Sequence, residues 1–94
     1  ALAPRDAGYR LLLADIYLKN GRFQAAEATY ADVVELQEDN VRAGLSLALT
    51  RIANGRPEGA LGVLGMLDGR AAPADLGLAY ALAGQPDRGI AILA

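Results

Sequence analysis

Two absences bound the chemistry open to this chain. None of its 94 residues is histidine or cysteine, which removes the commonest acid–base group, the thiol nucleophile and the usual transition-metal ligands. Any catalysis would fall to carboxylates. Glu35, Glu38 and Asp39 stand close together and offer oxygen ligands to a hard cation, but they lack the alternating spacing of a calcium-binding loop. A solvated helix end accounts for them. Gly59, Gly62 and Gly65 recur every third residue, yet no Gly-Lys-Ser/Thr follows and no strand precedes, as a phosphate-cradling loop requires. The spacing predicts instead a glycine stripe against which a neighbouring helix packs closely, at a cost in helix propensity of about 0.8–1 kcal/mol per glycine relative to alanine. No cofactor, metal or enzymatic activity is expected.

The formal charge is −2 and the sequence pI near 4.9, so there is no basic footprint for nucleic acid or an anionic membrane surface. No apolar run reaches the roughly 18–20 residues of a membrane span, and residues 1–6 carry no signal-peptide pattern. The chain begins without methionine and stops at Ala91-Ile92-Leu93-Ala94 within a helical pattern, so it is expected to be one domain, residues 1–94, of a longer protein. Its compartment, cytoplasmic or periplasmic, stays open.

Alanine and leucine supply 36 of the 94 residues and aromatics only 5%, a composition that favours helix over sheet. After a lead-in over residues 1–6, Asp6 can cap a helix from about Ala7 to Asn20, with Tyr9, Leu13, Ile16 and Tyr17 at helical spacing and Leu12 and Leu18 elsewhere on the wheel. Gly21 ends it. A return helix from Phe23 to about Gln37 places Phe23, Ala26, Tyr30, Val33 and Val34 on one stripe and Gln24, Glu27, Glu35 and Glu38 outside it. Asn40 can cap a third helix, Val41 to Asn54, which is apolar on nearly every side. Gly55, Pro57 and Pro73 mark a fourth helix to about Leu67, a loop over residues 68–72 and a fifth helix closing near Ala83. Gly84 and Pro86 open a sixth.

The turn glycines Gly21, Gly55 and Gly84 are spaced by 34 and then 29 residues. A period of about 34 residues built from two helices marks a stacked helical repeat. In the first unit Leu13-Ala14, Tyr17, Gly21, Phe23, Ala26 and Tyr30 stand at the offsets of the tetratricopeptide repeat, which the chain therefore resembles. The second unit keeps Leu47-Ala48, Gly55 and Ala60; the third keeps Leu76-Gly77, Tyr80, Gly84 and Gly89. Small residues at Ala14, Ala48 and Gly77, and at Ala26, Ala60 and Gly89, would allow close helix approach. The resemblance implies an all-α fold, a right-handed α-α superhelix of three hairpins over about 7–40, 41–70 and 71–94. Leu-Ala-Tyr-Ala-Leu-Ala-Gly, with arginine favoured over lysine, is also similar to bacterial repeat proteins of pilus assembly and polysaccharide export, the tight-adherence pilus lipoprotein among them.

In that family the first helix of each hairpin lines the concave face. The resemblance places there Asp15 and Lys19, then Arg42, Leu45, Leu49 and Ile52, then Leu78 and Leu82. Members that grip a C-terminal carboxylate use Lys, Asn and Arg at such positions; here they are mostly apolar, which favours a groove for an amphipathic helix or peptide of a protein partner. In the plainer alternative neighbouring helices, or the remainder of a longer protein, bury these leucines. A second function is self-association, a dimeriser or spacer, because Ile90, Ile92 and Leu93 leave the last helix without a polar cap.

Overall fold

The computed structural model describes residues 6–94; of the expected lead-in, residues 1–5 lie outside the described residues. Asp6, in extended backbone, accepts the Gly8 amide at 2.7 Å and starts α1, Ala7–Lys19. Asn40 does the same for α3, Val41–Ala53, accepting the Ala43 amide at 3.0 Å. Both side chains satisfy an amide that the first helical turn leaves unpaired. Between them lies α2, Phe23–Leu36. The later helices, α4 (Pro57–Met66), α5 (Pro73–Leu82) and α6 (Pro86–Leu93), each begin on proline, whose fixed φ suits the first position and whose missing N–H is not needed there.

The three hairpin turns are one structure used three times. Gly21, Gly55 and Gly84 have φ of 74°, 78° and 89°, and the residue after each donates its amide to the carbonyl five residues back: Arg22 to Tyr17, Arg56 to Arg51 and Gln85 to Tyr80, all at 2.9 Å. This is the left-handed closure that glycine makes without a Cβ penalty. It folds α2 back on α1, α4 on α3 and α6 on α5, and the hairpins stack through α2 against α3 and α5 against α3 and α4. The fold is an all-α helical-hairpin repeat of six helices among the described residues.

Small residues set the helix spacing inside each hairpin. Ala14, Ala26, Ala48 and Ala60 are wholly buried. In the third hairpin a Cβ placed on Gly89 would collide with the Gly77 carbonyl oxygen, and one on Gly77 would meet Leu93 at 3.0 Å. Backbone therefore touches backbone, as the repeat register predicts. Leu47, Leu64, Leu67, Leu76 and Tyr80 complete the core.

Three expectations fail. Gly62 and Gly65 face open space, with no atom within 4 Å of where a Cβ would stand, because α4 buries Ala60, Val63 and Leu64 and turns these glycines outward; of the stripe only Gly59 meets a neighbouring helix, through Arg51 of α3 at 3.4 Å. On α1 the residue buried is Ala14, with Leu11, Tyr17 and Leu18 packed against the core, while Tyr9 and Ile16 of the expected stripe are exposed. Glu27, expected outside the apolar stripe, is buried at 9% exposure because cations from the next hairpin surround it.

Candidate functional site

An open pocket of about 420 Å³ lies where the first helices of two successive hairpins meet. From α1 come Leu12, Asp15, Ile16, Leu18 and Lys19; α2 supplies Tyr30, and α3 supplies Arg42 and Ser46. Asp15 is its electrostatic centre, accepting the Tyr30 hydroxyl at 2.5 Å and Arg42 Nη2 at 2.6 Å. Burial alone would raise the Asp15 carboxyl, but the hydrogen bonds from Tyr30 and Arg42, with the charges of Arg42 and Lys19, hold it below its ordinary value. Burial first, and then the bond to Asp15, pushes the Tyr30 hydroxyl up to about 12. The hydrogen bond that Arg42 donates to Asp15 raises the Arg42 guanidinium in turn. Lys19, by contrast, has no ion-pair partner among the described residues.

A second polar cluster fixes the two hairpins that frame this pocket. Glu27 Oε1 accepts Asn54 Nδ2 at 2.8 Å, Glu27 Oε2 accepts Arg51 Nε at 3.3 Å, and Arg56 closes on the same carboxylate. Arg51 also donates to the Gly59 carbonyl at 3.0 Å, and Asn54 to that of Phe23 at 3.2 Å. Desolvation opposes the charge on Glu27, yet the bonds from Asn54 and Arg51 and the nearby Arg56 lower its pKa overall. A buried carboxylate is tolerated only where donors satisfy it, as these do.

Of the groove positions expected from the sequence, Asp15, Lys19 and Arg42 come together in the pocket. Leu49 lies seven residues beyond Arg42 on the stripe Arg42, Ser46, Leu49 and is exposed. Leu78 and Leu82, one turn apart on α5, are exposed as well, whereas Leu45 and Ile52 are half-buried against the core. Tyr30 and Ser46 escaped sequence reasoning. Tyr30 reads as core, and only its hydroxyl, placed 15 residues from Asp15, gives it a polar role. Among the described residues no group of three or more Asp or Glu side chains gathers as a metal site, and no helix is long and apolar enough to cross a membrane. The arrangement is a chain of hydroxyl, carboxylate and guanidinium running from Tyr30 through Asp15 to Arg42. It offers an open, partly apolar surface with one unpaired cation.

Comparison with known families finds that residues 7–40, covering α1, α2 and the loop before α3, match the family model of the tetratricopeptide repeat. Curated proteins and solved structures give no match.

Proposed function

We propose that the chain is a non-enzymatic interaction module that receives an amphipathic helix or peptide of a protein partner on the face made by its first helices. Tetratricopeptide repeats generally mediate protein–protein interaction, and α1 with α2 carries that repeat. The observation that carries the reading is the open pocket between α1, α2 and α3, with exposed Leu49 continuing its α3 stripe and exposed Leu78 and Leu82 beyond. Apolar side chains spaced at three and four residues on a partner helix match such a surface. The likeness of Leu78 to Gly84 to pilus-assembly and export proteins supports a setting in the bacterial envelope.

A panel of fluorescein-labelled amphipathic helical peptides, differing in the charge of their polar face, tests this by fluorescence anisotropy. Wild-type protein should bind a member of the panel, and Leu49→Asp with Leu78→Asp should abolish binding while leaving helical circular dichroism and Tm unchanged. Full binding by the variant, or none by the wild type, contradicts the groove; a large fall in Tm shows that these leucines are core.

A second reading is self-association, in which the domain acts as a dimeriser or spacer. The exposed side chains of Ile90 and Leu93 on α6, and of Tyr9, Leu12 and Ile16 on α1, favour it. Sedimentation of the wild-type chain decides it: a monomer at every concentration removes this reading.

A further inference from the structure

The self-association reading can be given a surface. Tyr9, Leu12, Leu13 and Ile16 together line a shallow apolar depression on α1, and Tyr9, Leu12 and Ile16 are 40%, 57% and 51% exposed. At spacings of three, one and three residues they form a single helical stripe. The stripe is symmetric about the midpoint between Leu12 and Leu13. Laid antiparallel against itself, it sets Tyr9 opposite Ile16 and Leu12 opposite Leu13, twice over.

The charges on the stripe follow the same symmetry. Asp6 lies three residues before Tyr9 and Lys19 three residues after Ile16. Both are exposed, and neither has an ion-pair partner among the described residues. An antiparallel pairing would bring each Lys19 to the Asp6 of the other copy. A parallel pairing would set like charges together. In α3, 34 residues on, the counterparts of Tyr9, Leu13 and Ile16 are Ala43, Leu47 and Thr50, all buried, with α2 packed on that helix; the counterpart of Leu12, Ser46, lines the open pocket.

We infer that α1 is an isologous contact site for a second copy of this chain, the two α1 helices crossing antiparallel on a two-fold axis near Leu12 and Leu13. The inference rests on the self-association reading and specifies its face and polarity. A contact one helix wide is small, so the dimer is a reversible one.

Sedimentation equilibrium of the whole chain over about 10–500 µM should show a monomer–dimer equilibrium. Leu12→Asp, at an exposed position, should weaken it at least about tenfold with helical circular dichroism unchanged, and Lys19→Glu should weaken it less and reduce its salt dependence. Because the chain has no cysteine, single cysteines can then report polarity. A mixture of Tyr9→Cys and Ile16→Cys should form a mixed disulfide on mild oxidation, whereas Ile16→Cys alone should not. A monomeric wild type overturns the self-association reading and this inference together. A dimer that persists in Leu12→Asp overturns the α1 face alone, and ready cross-linking of Ile16→Cys to itself overturns the antiparallel arrangement.

Discussion

Between the first and second hairpins, polar side chains cross the gap repeatedly: Arg42 reaches Asp15, while Arg51, Asn54 and Arg56 converge on Glu27. Between the second and third, Arg88 reaches Asp68 at 3.3 Å, with about half of each side chain in solvent, and contact otherwise rests on apolar residues such as Leu64, Leu67, Leu76 and Tyr80. Burying a carboxylate costs more than its attractions return unless the donors are well placed, as they are around Asp15 and Glu27, and these directional bonds admit few alternative registers. The apolar junction is held by area and shape, which discriminate registers less sharply. The open pocket between α1, α2 and α3 lies at the junction whose geometry is specified by direction-dependent bonds.

The largest test removes that specification. Glu27→Ala leaves Arg51 half-buried without its carboxylate, and should lower unfolding stability by about 2–3 kcal/mol in urea denaturation; a loss under about 0.5 kcal/mol would make the two junctions equivalent. Acid probes the same bonds. Asp15 and Glu27 have folded pKa values below their ordinary ones, so their stabilisation is complete above the usual carboxylate range and is lost as pH falls through the folded values. Melting followed from pH 6 downward should show a decline that Glu27→Gln makes shallower. An unchanged profile in that variant would show that Glu27 contributes nothing to the acid limb.

One chemical change made in both regions should have opposite signs. The Tyr30 hydroxyl is bonded to Asp15, whereas the buried Tyr80 hydroxyl has no hydrogen-bond partner among the described residues and its ring lies 4.4 Å from the Arg88 guanidinium. Tyr30→Phe should cost about 1–2 kcal/mol, and Tyr80→Phe should stabilise by about 1 kcal/mol. Equal effects would contradict the contrast. Tyr30 adds an alkaline signature: with its hydroxyl raised to about 12, its contribution is present below the ordinary tyrosine value and is lost as pH rises through the folded one. The smallest effect is local. Gly62→Ala and Gly65→Ala, which face open space, should each raise stability by about 0.8–1 kcal/mol by removing the glycine penalty in α4, leaving both junctions unchanged.

The helices, their caps and the three glycine turns were legible in the sequence because each is decided within a few residues: the cap at Asp6 by the Gly8 amide, the turn at Gly21 by the Arg22 amide reaching back to the Tyr17 carbonyl. Close approach at Gly77 and Gly89 was legible from repeat register alone. Glu27 was not, since its donors stand 24–29 residues away on another hairpin and helical periodicity sees only the helix itself. The outward turn of Gly62 and Gly65 was missed because a three-residue spacing drifts around the wheel, and burial of Val63 and Leu64 decides which side faces in. On α1 apolar residues lie on both sides, so the choice between Ala14 with Tyr17 and Tyr9 with Ile16 needed the neighbouring helices.

The central claim is that a partner segment sits in the pocket where α1, α2 and α3 meet. Amide chemical-shift mapping of the 15N-labelled chain with the best-binding peptide of the panel tests it most directly. The account predicts that the largest shifts fall on Leu18, Lys19, Arg42 and Ser46 and extend to Leu49. Shifts confined to α4 and α6, with these amides unmoved, would contradict it.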